Sequence, residues 1–322
     1  VFDRLRYWRR IAAAYGSSNS ALTFWHETPE AHPGARYDAI GPYYQTFADK
    51  ARYPGPFDAQ GVPLLDYHGS IGRRYNPIAV AQYGLARFNR FLETGDAGDR
   101  AAFLAQADWL CAKLTPNARG LHVWNHDFDF EYRSGLKAPW YSGLAQGQGL
   151  SLLARALKTT GDARYAGAMD RAFEPLRRTV DEGGVLYRDG EDVWIEEYVV
   201  EPPSHILNGF LWALWGVKDH ALATGSAEAG TLFADCAATA ERALPRYDTG
   251  SWSTYEASDT WIPMVTSGFY HRLHIVQLEI TAAMTGRPAF AERARRWRGY
   301  WDRPVNRKVN LARKVAFKLL YY

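Results

Sequence analysis

Four times along the chain a Thr-Gly pair closes an apolar-periodic stretch, at Thr94-Gly95, Thr160-Gly161, Thr224-Gly225 and Thr285-Gly286, spaced 66, 64 and 61 residues apart. A near-constant period marks a stack of one supersecondary unit, because each unit leaves an apolar face that only its neighbour covers. The glycine suits the left-handed position that ends a helix, and Asp96, Asp162 or Ser226 directly after it can cap the next one. Each pair therefore predicts a turn between two helices. The first helices are predicted over residues 77–93, 142–159, 204–223 and 268–284, and their partners over 97–114, 163–180, 227–244 and 288–301.

The first helix of each hairpin is apolar nearly all round, as in Ile206-Leu207-Asn208-Gly209-Phe210-Leu211-Trp212-Ala213-Leu214-Trp215. The second is more charged, as in Ala291-Glu292-Arg293-Ala294-Arg295-Arg296-Trp297. A helix apolar on every side belongs inside and a two-faced one outside. The expectation is an all-α dominated fold, an (α/α) toroid of about four helical hairpins with short β pieces in the connecting loops; an open solenoid is the alternative. The toroid is expected over residues 75–304, with an N-terminal helix and loop region, 1–74, packing on it and a helix near 3–15 capping it. The links 115–141, 181–203 and 245–267 hold strand-like pieces at 121–124, 184–187 and 252–255. Loops this long in a compact domain usually carry function, and these end where the inner helices begin. Their polar residues are expected at one mouth of the toroid.

Apolar residues at 47% and charged residues at 23% argue against general disorder. A net charge of +3, with basic residues spread along the chain, argues against a nucleic-acid-binding stripe. Residues 1–15 lack the apolar run of a signal peptide and no stretch of 18 apolar residues occurs, so a soluble or peripheral protein of unspecified compartment is expected. Cys111 and Cys236 sit in helical patterns and are expected as free thiols. Residues 305–322 form a basic amphipathic tail, read equally as an interfacial helix touching an anionic membrane or a partner and as a final helix packed on the domain.

The mouth is expected to gather Tyr141, Gln146 and Gln148, then Glu196-Glu197-Tyr198 ahead of Ser204-His205-Ile206-Leu207-Asn208-Gly209-Phe210, then Tyr247-Asp248-Thr249-Gly250-Ser251 and Tyr255, and finally Tyr270-His271-Arg272-Leu273-His274 with Gln277. These segments, with Trp140-Tyr141-Ser142-Gly143-Leu144-Ala145-Gln146-Gly147-Gln148, Tyr75-Asn76-Pro77-Ile78 and Ala81-Gln82-Tyr83-Gly84-Leu85, resemble in order and spacing the C-terminal catalytic domain of the D-glucuronyl C5-epimerases, over roughly residues 75 to 301.

That resemblance implies removal of the C5 proton of a hexuronic acid residue, α to its carboxylate, and return of a proton on the opposite face. Such a reaction needs two proton-transfer groups and something to neutralise the carboxylate while charge builds on it. The resemblance carries Glu197 and Tyr270 over as the proton-transfer pair, with Tyr198 and Tyr255 as further catalytic-site tyrosines. Tyr75, Gln146, Gln148, Asn208, His271, Arg272, His274 and Gln277 stand as substrate-binding candidates, and Asp66, Tyr67, His68, Asp127 and Asp129 as looser ones. Where the similar enzymes carry an Arg shortly after the tyrosine matching Tyr255, this chain reads Glu256-Ala257-Ser258-Asp259.

Read without the resemblance, Glu196 is a solvated or helix-capping charge, Tyr75, Tyr255 and Tyr270 are core aromatics, and His205 and Asn208 serve a helix start. His271 and His274 are three apart on a helix, but no third ligand stands at a telling spacing, so no metal and no cofactor is expected. Three other classes stay open: a polysaccharide lyase sharing the first proton abstraction, a glycoside hydrolase pairing Glu197 with Asp248 or Glu256, and a glycan-binding relative without activity. The expected partner is a uronate-containing polysaccharide, a homodimer is compatible, and no nucleic acid is expected.

Overall fold

The computed structural model describes residues 24–67, 71–130, 132, 135–258 and 261–321, the last four as backbone only. The helix expected near 3–15, His68 and Asp259 lie outside the described residues. Four hairpins are present: α1 (Pro77–Thr94) with α2 (Ala97–Lys113), α3 (Gly143–Thr160) with α4 (Ala163–Phe173), α5 (Leu207–Thr224) with α6 (Ala227–Ala243), and α7 (Gly268–Thr285) with α8 (Pro288–Trp301). The fold is an (α/α) toroid: α1, α3, α5 and α7 pack on one another in that order, and each carries its partner.

Each hairpin turn is built by both residues of its Thr-Gly pair. Gly95, Gly161, Gly225 and Gly286 hold φ of 70°, 70°, 72° and 69°, a region costly for any residue with a Cβ. The threonine hydroxyls donate to the carbonyl four residues back, Thr94 to Arg90 at 2.9 Å and Thr285 to Thr281 at 2.7 Å, for example. They also accept from the N–H two residues on, as Thr94 does from Asp96 at 3.2 Å and Thr285 from Arg287 at 3.3 Å. One side chain thus serves an orphan group on each side of the turn. Asp96, Asp162 and Ser226 cap α2, α4 and α6 as their positions predict.

One predicted outer helix stops early because of proline. The α ladder of α4 ends at Phe173, where Pro175 has no N–H to give and a 3₁₀ turn, Glu174–Arg177, takes over. Helix α6 ends at Ala243, close to its expected end, and a similar 3₁₀ turn with Pro245, Leu244–Tyr247, follows it. Helix α5 begins at Leu207 and not at 204, because His205 lies in the left-handed region at φ 48°. The inner helices α3 and α5 touch backbone to backbone, since a Cβ on Gly216 would stand 2.0 Å from the Gly147 carbonyl oxygen.

Among the described residues the loops hold three two-stranded antiparallel pieces: β1 (Leu65–Asp66) with β2 (Arg73–Arg74), β3 (Leu114–Pro116) with β4 (His122–Trp124), and β5 (Leu186–Asp189) with β6 (Asp192–Ile195). At 252–255 only isolated bridges form, Asp248 to Ser253 and Thr254 to Val265.

Between α7 and α1 the ring is closed by irregular chain. His26 packs on Phe269 of α7, and the Tyr43 N–H bonds Asn89 of α1 at 2.7 Å. Tyr43, Tyr44 and Phe47 are buried against Trp212 and Trp215 of α5. Beneath them a fully buried pair, Arg155 of α3 and Asp219 of α5, meets at 2.7 Å, with the Tyr44 hydroxyl donating to the other Asp219 oxygen at 2.7 Å. After α8 the helix α9 (Pro304–Tyr321) turns back over the 248–266 loop. Its Asn310 donates to the Thr266 carbonyl at 2.9 Å, and Lys314 and Phe317 are buried with it. This face is packed on the domain, while Val305, Val309 and Leu311 are exposed.

Candidate active site

The inner helices start at one end of the toroid, where the loops between hairpins meet. The Gly143 N–H at the start of α3 donates to the Glu196 carbonyl at 3.0 Å, and the Leu207 N–H at the start of α5 to the Tyr255 carbonyl at 3.2 Å. The chain leaving β6 therefore carries Glu196, Glu197 and Tyr198 across the first turns of two inner helices.

Glu196 is a correction to its solvated reading: it is 1% exposed and accepts from the His205 N–H at 3.0 Å and bonds the His205 ring through its other oxygen. The pair offsets the strained backbone of His205 and holds the turn that delivers Glu197. Glu197 is also buried, its carboxylate lying on Gly209, where a Cβ would stand 2.0 Å from Oε2. Only glycine leaves that space. Asn208 Nδ2 lies 3.4 Å from the same oxygen, and the Tyr198 hydroxyl bonds the carboxylate.

Burial dominates the electrostatics here. Loss of water pushes the Glu197 carboxyl up to about 8, the Tyr198 hydrogen bond pulling it down and neighbouring Glu196 raising it further. Burial likewise holds the Tyr198 and Tyr255 phenols well above their ordinary range, so both stay protonated. Tyr255 meets Tyr270 edge to face at 5.2 Å, and Tyr198 feels the charges of both Glu197 and Tyr270. The four residues carried over as catalytic thus form one cluster.

Two members of the surroundings have no sequence signal. Tyr132 packs at a tilt against Tyr198, ring centres 4.8 Å apart, and donates to the buried Glu256 carboxylate, 124 residues away in the chain. His26 lies 6.4 Å from Tyr270, its imidazole driven down to about 4 by burial. Phe128, Leu136, Trp140 and Ile206 back the tyrosines as a second apolar cluster. A cleft of about 650 Å³ flanks Tyr255 without including Glu197; Arg246, Thr254, Glu256, Ser258 and Arg313 are among its lining residues.

Most of the residues expected to bind substrate also make contacts within the fold. Tyr75 turns outward onto Asp58 at 2.8 Å and onto Trp109 of α2. Gln146 ties the Trp124 N–H to the His122 and Ala172 carbonyls, Gln148 is buried beside Tyr43, and Gln277 donates to the Asn208 carbonyl at 2.9 Å. His271 is stacked on Trp252 and held between Ser253 and the Trp297 carbonyl, and His274 reaches Ser253. Burial lowers these imidazoles to about 4 and about 3, so neither supplies positive charge near neutral pH. Arg272 lies over Trp301, 5.1 Å from its ring. Of the looser candidates, Tyr67 accepts from Asn76, while Asp66 and Asp129 face Arg73 and Lys137. Asp248 pairs with Arg293 and Arg296, accepts from the Tyr300 hydroxyl and lines the same cleft. Among the described residues no group of three or more His, Cys, Asp or Glu could hold a metal ion, and no helix is long and apolar enough to cross a membrane.

The raised carboxyl predicts how stability depends on pH. Folded Glu197 keeps a proton that the unfolded chain releases above the ordinary carboxyl value of 4.5, so stability is full below that pH and falls as pH rises to about 8. The slope approaches about 1.4 kcal/mol per pH unit. Glu197→Gln keeps the shape without the titration, and is expected to melt higher than wild type at pH 8 to 9 while losing that advantage near pH 4.5. Parallel melting curves over the whole range would contradict the burial of this carboxyl.

Comparison with known proteins places this geometry among relatives. The family model described as D-glucuronyl C5-epimerase C-terminus matches residues 119–299. A D-glucuronyl C5-epimerase of Caenorhabditis elegans is 30% identical over 214 residues, 62% of this chain and 35% of that one, so this chain spans about a third of that relative's length. An uncharacterized protein of Methanocaldococcus jannaschii is 27% identical over 268 residues, 76% of this chain and 85% of that one. Among solved structures, the cellobiose 2-epimerase of Bacillus thermoamylovorans B4167 superposes with a TM-score of 0.56 at 12% identity, covering 93% of this chain and 87% of the other, a likeness of fold alone.

Proposed function

This chain belongs to the D-glucuronyl C5-epimerase C-terminus family, and from that premise we propose that it inverts C5 of hexuronic acid residues within a polysaccharide. The observation that carries the reading is the Glu197 carboxyl, buried among Tyr198, Tyr255 and Tyr270 and lifted to about 8. A C5 proton next to a carboxylate is a weak acid, and its removal calls for a base whose pKa lies near the working pH. Glu197 is such a group. Tyr270 is assigned the proton on the opposite face of the sugar, so that the pair exchanges roles with the direction of reaction. Tyr198 and Tyr255, protonated throughout, are donors to the enediolate oxygens as negative charge develops there. With Glu197 as base, turnover rises with pH through about 8.

The test is incubation with glucuronate-containing polysaccharides in heavy water, followed by proton NMR. Deuterium at C5 together with iduronate-type signals supports the reading. Unsaturated ends would move the assignment to a lyase, and new reducing ends to a hydrolase.

A further inference from the structure

The cleft of about 650 Å³ beside Tyr255 takes no part in the proton path, yet it adjoins the tyrosine cluster. Thr254 and Glu256, the chain neighbours of Tyr255, both line it, and Tyr132, which donates to Glu256, packs against Tyr198. Two cations reach this cleft from separate parts of the chain. Arg246 stands on the 3₁₀ turn Leu244–Tyr247, and Arg313 on α9, beyond residue 299, the last that the family model matches.

Both arginines are exposed, and each is anchored by one bond to a neutral oxygen: Arg246 donates to the Ala257 carbonyl at 2.9 Å and Arg313 to the Ser251 hydroxyl at 3.3 Å. A guanidinium has five N–H donors, so most of each fork is left for a ligand. The carboxylates of the cleft have other partners. Asp248 pairs with Arg293 and Arg296, and Glu256 accepts from the Tyr132 and Ser258 hydroxyls. Among the described residues neither Arg246 nor Arg313 forms an ion pair. The rest of the lining suits a sugar ring. Ile262, Pro263 and Val265 offer an apolar wall to its C–H face, and the buried Thr254 hydroxyl, without a hydrogen-bond partner among the described residues, is one that a ring hydroxyl can satisfy.

We propose that this cleft is a subsite for a sugar flanking the one at the tyrosines, with Arg246 and Arg313 as substrate-binding residues for its carboxylate or sulfate ester. Planar guanidinium forks match such oxyanions in a bidentate way. The inference rests on the polysaccharide part of the proposed function and adds to it the selection of an anionic chain.

Calorimetric titration of wild type, Arg246→Gln, Arg313→Gln and the double variant tests it with three octasaccharides: one alternating glucuronate with a neutral sugar, its carboxyl-reduced neutral form, and that neutral form after O-sulfation. Melting curves report whether each variant folds. Each single variant is expected to bind an anionic form about 3- to 10-fold more weakly and the double variant more than about 10-fold, with Arg313→Lys recovering part of the loss. A loss on the glucuronate form identifies the carboxylate as the group held, a loss on the sulfated form the sulfate ester, and either supports the subsite. The neutral form is expected to bind all the proteins alike, which a merely structural role for the arginines would not produce. In C5 exchange the loss is expected in KM. Equal affinity of wild type and double variant for both anionic forms overturns this inference alone, as does a loss of kcat at unchanged KM, which would place the arginines at the reacting sugar. Wild type that binds an anionic octasaccharide through these arginines without C5 exchange keeps the subsite and overturns the epimerase reading. Wild type that binds neither anionic form overturns both.

Discussion

Tyr270→Phe is expected to lose C5 exchange by about 10²–10⁴-fold, the usual worth of a positioned acid or base, with its melting temperature close to wild type. Only the hydroxyl is removed. The ring keeps its contacts with His26, Phe269 and Tyr255, so packing and the shape of the site survive. Glu197→Gln is expected to lose a similar factor, since the amide fills the space on Gly209 but cannot take a proton near pH 8. Because both residues act on one proton path, the double variant should be little worse than either single one. The measurement is single-turnover deuterium incorporation at saturating polysaccharide. Full activity in both single variants would remove them from the chemistry, whatever the reaction proves to be.

The second large effect concerns stability. Asp219→Asn is expected to cost about 3–5 kcal/mol, because it leaves the Arg155 guanidinium charged and buried without its counter-ion. Against a total of about 5–15 kcal/mol for a folded protein, that is a large share. Arg155 is fully buried, and its remaining bonds go to neutral carbonyls, Ser151 at 2.7 Å and Gly41 at 3.0 Å, which do not cancel a charge. Tyr44 would at the same time exchange a carboxylate acceptor for an amide oxygen. Replacing both charges, Arg155→Met with Asp219→Leu, should recover much of the loss, since apolar residues of similar volume fill such sites without desolvation. Denaturant unfolding at constant m-value measures this, and a midpoint unchanged in Asp219→Asn would show that the pair is not desolvated.

The hairpins and their caps are legible in the sequence because their causes are local. A Thr-Gly pair, a capping Asp or Ser and the apolar period act within a few residues of one another, so Gly95 and Asp96 can be read without knowing what packs on them. The inner-to-outer order follows from the same stretches, since Leu207–Thr224 has no polar face to offer water. The gathering of Glu197, Tyr198, Tyr255 and Tyr270 at one end follows in turn, because every link ends at the start of an inner helix.

What each polar side chain does at that end was open until the chain folded. Gln146, Gln277 and His271 have the composition of sugar-binding residues, and in the folded chain they also satisfy backbone carbonyls left by the close packing of inner helices. Glu196 reads as solvated until His205, nine residues on, closes over it. Tyr132 reaches Glu256 across 124 residues, and Lys314 reaches Tyr255 from a helix past the last hairpin; no period or motif encodes either meeting. The sequence by itself determines the repeating unit, its turns and the side it buries, because these depend on neighbours in the chain. The tertiary structure decides which carboxyl loses its water and which distant side chains meet, because desolvation and charge depend on neighbours in space.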